Sequence, residues 1–156
     1  MKSRNLWFAF AAAAVVLLAL GVQAADHEYA GADKCKMCHK VQFASWETTT
    51  HAKSTDAAKA STDPAYTDDC LKCHATNASA DLPGVQCEAC HGPGEDYKKM
   101  SIMKDREAAM ANGLVIPTQA TCDTCHVGDD HAKKVDFAAN LNNKAAIHEF
   151  KNPPGE

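Results

Sequence analysis

The sequence predicts a mainly α-helical fold with extensive loops, closed around an interior that aliphatic side chains do not supply. Three observations predict it. No stretch alternates apolar and polar residues as a half-buried strand does. The few segments with helical character are cut short by Gly and Pro. Beyond the N-terminal region, Leu, Ile, Val and Phe number only 15 in residues 25–156, about 11%, under the roughly 20% below which chains usually fail to build a core.

The N-terminal region stands apart. Lys2 and Arg4 precede an unbroken apolar run of 15 residues, Leu6 to Leu20, and Val22-Gln23-Ala24 offers small residues for cleavage after Ala24. This is the pattern of a secretory signal peptide, and the run is short of the roughly 17–25 apolar residues of a spanning helix. The expected organisation is therefore a cleaved leader, 1–24, and one domain, 25–156, exported to the periplasm or the extracellular space. That domain carries 14 basic and 20 acidic residues, a net charge of −6. Such a balance argues against nucleic acid as a partner and suits a partner with a basic docking face.

All eight cysteines fall in one repeated pattern: Cys35-Lys36-Met37-Cys38-His39, Cys70-Leu71-Lys72-Cys73-His74, Cys87-Glu88-Ala89-Cys90-His91 and Cys122-Asp123-Thr124-Cys125-His126. Cys-x-x-Cys-His is the attachment signature of c-type haem. Two cysteines three apart lie on one side of a helical turn, where both thiols can form thioethers to one porphyrin edge. The following His then reaches under the ring as proximal iron ligand. Zinc sites do not require a His straight after each cysteine pair. Disulfides within a motif would close almost no loop. A thioredoxin-like pair would need a βαβ setting, which is absent. Four covalently bound haems are expected. In a globule of 132 residues, with a radius of gyration of roughly 14 Å, their rings would replace the missing aliphatic core and lie within electron-transfer reach of one another.

Between the motifs, residues 36–56 read as a helix weakened by Thr48-Thr49-Thr50, since β-branched residues are poor helix formers. Residues 61–69 and 75–86, with Pro64, Pro83 and Gly84, read as loops. Gly92-Pro93-Gly94 reads as a turn whose small residues let backbone pass close to a haem face. Lys98–Asn112, ending at Gly113, is the strongest helix, and Asn140–Phe150 is a second, stopped by Pro153-Pro154. The proximal histidines are spaced by 35, 17 and 35 residues, a hint of a two-plus-two arrangement.

Four histidines remain outside the motifs: His27, His51, His131 and His148. On a continuous helix His51 would lie roughly 18 Å from His39, so as a ligand it must serve a different haem. His148, beside Ile147 and Phe150, has a half-apolar setting that suits a ligand. His131 follows Gly128-Asp129-Asp130 and His27 lies near the mature N-terminus, so both read as exposed and unligated. Met100 and Met103 share one helix face; they are packing residues or, less often, axial ligands.

Three stretches resemble the tetrahaem cytochrome c-554 family: Lys34 to Lys40 with Ser45-Trp46 and His51-Ala52-Lys53, Gly84 to Gly94 around the third motif, and Ala146-Ile147-His148-Glu149. The likeness covers most of residues 33–150; this chain is shorter between the first two motifs and after the third. The resemblance implies a mainly helical fold with haems in stacked pairs. It implies His51 as distal ligand of the third haem, His148 as that of the fourth, and a second haem, on His74, open on its far side. In that family a His after the third motif serves the first haem. Here that region holds only Met100 and Met103, and a Met swap is one resolution.

The expected function is electron transfer between redox protein partners, such as a membrane-bound quinol oxidoreductase or a terminal reductase. Beside the haem motifs no acid–base or nucleophile constellation is visible. A haem enzyme acting on a small nitrogen oxide at a five-coordinate second haem, and a protomer of a multihaem assembly, are the alternatives. N-terminal sequencing of exported protein should begin at Ala25; a mature chain that still begins at Met1 contradicts the leader.

Overall fold

The computed structural model describes residues 26–129 and 131–150; the expected leader, 1–24, lies outside them. Among the described residues there are nine short α-helices and no strands, only isolated bridges such as Ala75 to Pro83. The helices are α1 (Ala32–Lys36), α2 (Lys40–Trp46), α3 (Ser54–Ala60), α4 (Leu71–His74), α5 (Cys87–His91), α6 (Met100–Met103), α7 (Arg106–Ala111), α8 (Gln119–Asp123) and α9 (Phe137–Asn140). Two 3₁₀ turns, Asp68–Cys70 and Thr76–Ala78, flank α4. No described helix is long and apolar enough to cross a membrane.

The mainly helical, loop-rich architecture is as expected, but the helices are shorter. The 36–56 segment divides into α2 and α3, and the break falls on the three threonines. Thr49 is buried, and its hydroxyl donates to the Trp46 carbonyl (2.7 Å) while accepting from the Ala52 N–H (3.2 Å). A side chain that satisfies backbone groups in this way competes with helix continuation. The 98–112 helix divides into α6 and α7 because Asp105 caps α7, accepting from the Ala108 N–H at 3.0 Å. The helix expected over 140–150 does not form. Asn140 and Asn143 bond each other's side chains, and Asn143 accepts from the Ala145 N–H, so the chain turns instead.

The buried apolar residues are few and mostly small: Ala32, Phe43, Ala58, Leu71, Ala75, Tyr97 and Ala109. Phe43 packs on Trp46 with ring centroids 5.5 Å apart, and the Trp46 indole N–H donates to the Val85 carbonyl (2.9 Å), joining α2 to the segment before α5. Much of the remaining interior is polar and hydrogen-bonded. Thr55 accepts from the Gly84 N–H (2.7 Å) and donates to the His74 carbonyl. Thr76 donates to the Gly84 carbonyl (3.0 Å) and accepts from the Gln86 N–H (2.8 Å). No buried side-chain nitrogen or oxygen among the described residues lacks a partner, as a stable interior requires.

Glu88 is the largest fully buried side chain, 1% exposed. Its carboxylate accepts from the backbone N–H groups of Ala30 (2.8 Å), Gly31 (2.7 Å) and Gly94 (2.6 Å). Gln86 adds an acceptor for the Ala32 N–H at 2.8 Å. The chain entering α1 is thereby tied to α5, which sets the first cysteine motif beside the third. Gly92 also packs closely on backbone. At φ +75, a Cβ there would stand 2.3 Å from the Gly113 carbonyl oxygen, so it is backbone against backbone that excludes a side chain.

Each buried N–H left unpaired costs about 1–3 kcal/mol. Glu88→Ala strands three of them, so it should lower the unfolding free energy of the mature protein by at least about 3 kcal/mol. Chemical denaturation measures this, and an unchanged midpoint contradicts the role given to Glu88.

Candidate haem-binding site

Each motif occupies a single helical turn or its edge. Cys35 lies in α1, and the His39 N–H donates back to the Cys35 carbonyl at 2.9 Å. Cys70 closes a 3₁₀ turn and Cys73 and His74 sit in α4. The whole third motif is α5. Cys122 lies in α8, and the His126 N–H donates to its carbonyl at 2.9 Å. The i→i+4 bond from His to first Cys holds the imidazole one turn on from the thiol it must work with.

None of the eight cysteines is joined in a disulfide, and no group of three or more His, Cys, Asp or Glu among the described residues could hold a bare metal ion. The motifs nonetheless meet in pairs. Glu88 of the third motif and Gln86 before it accept from the Ala30, Gly31 and Ala32 N–H groups at the start of α1, beside the first motif. Cys125 Sγ of the fourth motif lies 4.0 Å from the Lys72 carbonyl oxygen of the second. The first motif is thus set against the third and the second against the fourth. The spacing of 35, 17 and 35 hinted at pairs but not at this interleaving. A hollow of about 500 Å³ opens beside Cys90, between α5 and α8.

The imidazoles are oriented from behind. Nδ1 of His74 is 3.1 Å from the Ser54 carbonyl, that of His126 is 2.9 Å from the Lys133 carbonyl, and that of His91 is 3.4 Å from the Val115 carbonyl. Each such bond places the proton on Nδ1 and leaves the Nε2 lone pair free, the arrangement of a metal-binding histidine. Burial lowers the pKa of His51 and of His91, which keeps both rings neutral and able to ligate.

Three pairs of rings face each other: His51 with His126 at 6.2 Å between centroids, His91 with His148 at 6.4 Å, and His74 with His131 at 5.7 Å. Metal–imidazole bonds of about 2 Å on each side, plus half a ring at each end, place two imidazoles on opposite faces of one iron about 6 Å apart. The donor set therefore fits haem iron at three of the four motifs. His51 faces the fourth motif and His148 the third, the reverse of the pairing implied by the family resemblance. The Glu149 N–H donates to Ser45 Oγ at 2.9 Å, which docks the segment carrying His148 onto α2.

His131 is exposed, as expected. Sequence reasoning missed its place beside His74, because the contact depends on a turn that closes only in three dimensions. His27, expected to be exposed, has a side chain only 18% exposed. Its Nδ1 lies 3.0 Å from an Asp96 carboxylate oxygen, and its ring packs where a Gly113 side chain would stand. Met100 is exposed and Met103 half-buried. His39 stands at the start of α2 with its ring exposed.

Residues 34–92 match the family described as cytochrome c554 and c-prime. The chain is similar to cytochrome c-554 of Nitrosomonas europaea, with 31% identity over 153 aligned positions that cover 74% of this chain and 65% of that protein. It therefore spans slightly less than two thirds of that relative's length. The structure of the reduced state of cytochrome c554 from Nitrosomonas europaea superposes with a TM-score of 0.62 and 27% identity, covering 80% of this chain and 86% of that one. The attachment motifs, the strand-free helical fold and these likenesses agree: the chain belongs to the cytochrome c-554 family and is a c-type cytochrome, which carries covalently bound haem.

Proposed function

We propose that this chain is a periplasmic electron carrier holding four haems, one on each Cys-x-x-Cys-His motif. The observation that carries the reading is the set of four motifs, each on one helical turn or its edge and drawn together as first with third and second with fourth. Bound haem iron supplies reversible one-electron transfer.

The chain's own residues supply position. The two cysteines of each motif anchor one porphyrin edge, and the His that follows provides the proximal nitrogen. His148 completes the third site and His51 the fourth, each facing a proximal ring at 6.4 Å and 6.2 Å. Iron held between two imidazoles has no free position for a substrate and is suited to passing electrons. The contacts between motifs favour rings stacked in two pairs, first with third and second with fourth.

Residues 1–24 support export to the periplasm. A net charge of −6 over residues 25–156 favours redox partners with a basic docking face, a membrane-bound quinol oxidoreductase or a terminal reductase among them.

Stopped-flow mixing of the reduced holoprotein with a basic redox protein tests the proposal. Fast electron exchange is expected, with a rate that falls as salt rises, because screening weakens attraction between opposite charges. No exchange with any such partner, together with rapid turnover of a small nitrogen oxide, contradicts it.

A further inference from the structure

We infer that His131 is the second axial ligand of the haem carried by Cys70, Cys73 and His74, so that this haem is closed to outside ligands. The inference rests on the four-haem reading above and goes beyond it. The family resemblance implies an open face at this haem.

The His131 ring stands 5.7 Å from the His74 ring, with 47° between the planes. That separation is close to the 6.2 Å and 6.4 Å of the other two facing pairs. The His74 ring is fixed by its Nδ1 contact with the Ser54 carbonyl at 3.1 Å, which leaves Nε2 as the free nitrogen.

His131 is presented by a tight turn. The Gly128 N–H donates to the Ala132 carbonyl at 2.8 Å, and the Ala132 N–H donates to an Asp129 carboxylate oxygen at 2.5 Å. Gly128 has φ +98, which a β-carbon would strain. The same segment gives the Lys133 carbonyl to His126 Nδ1 at 2.9 Å. One loop thus orients the proximal histidine of the fourth motif and sets a histidine over the second. Independently, Cys125 Sγ lies 4.0 Å from the Lys72 carbonyl oxygen, which places those two motifs side by side. Among the described residues, His39 of the first motif is the proximal histidine with no ring-to-ring partner. The exposed edge of this chain's coordination chemistry therefore shifts away from the second haem.

The test compares wild-type holoprotein with His131→Ala and His131→Met. Mass spectrometry counts haems on each, electron paramagnetic resonance counts high-spin irons in the oxidised state, and titration with carbon monoxide counts open irons in the reduced state. With haem content equal, His131→Ala should gain one high-spin iron and one carbon monoxide site per chain over wild type, and added imidazole should reverse both. His131→Met should keep the wild-type spin count and raise the potential of one haem, since Met in place of His favours the reduced iron. Full haem loading with unchanged spin and carbon monoxide counts in His131→Ala overturns this inference alone. Absence of haem from the wild-type protein overturns it together with the four-haem reading.

Discussion

Attachment of a flat porphyrin to two thiols and an imidazole within five residues constrains everything else in this molecule. The three groups meet the ring only if they lie along one helical turn, so four separate turns must form wherever the motifs fall. They do so as α1, α4, α5 and α8 or at their edges. Helices longer than seven residues do not occur among the described residues. A short helix is marginal by itself, so these turns need outside support, and much of the described hydrogen bonding gives it. Glu88 ties the chain before α1 to α5, while Thr55 and Ser54 hold α3 against the carbonyl of His74.

The scarcity of aliphatic side chains has the same origin. Leu71, Phe43 and Tyr97 are the only large apolar side chains buried among the described residues. Burial at roughly 25 cal/mol per Å² over so few groups cannot offset the ordering of more than a hundred residues. In the four-haem proposal, covalent porphyrins, each a broad apolar disc, would supply the missing surface. Buried hydroxyls and carboxylates then serve to align segments at the rim of that interior, with every buried polar side-chain atom described finding a partner.

The parts of this design that depend on local chemistry were legible in the sequence. Cysteine spacing, proximal histidines and the break at Thr48 to Thr50 follow from geometry within a few residues. Whatever depends on distant contacts was not. The division of 98–112 turns on one capping bond from Asp105. The loss of the 140–150 helix turns on asparagine side chains that prefer each other to the helix. His27 gave no sign that Asp96, 69 residues away, would hold it. The nearness of the His51 ring to His126 and of the His148 ring to His91 depends on how distant segments pack, which spacing cannot express.

The account stands on thioether-bound porphyrin at every cysteine pair. Intact-mass measurement of the mature chain, exported from a host that performs c-type haem maturation, tests this most directly. The mass should exceed that of the polypeptide by four haems and survive acid extraction of loosely held haem. A mass equal to the bare polypeptide contradicts the account.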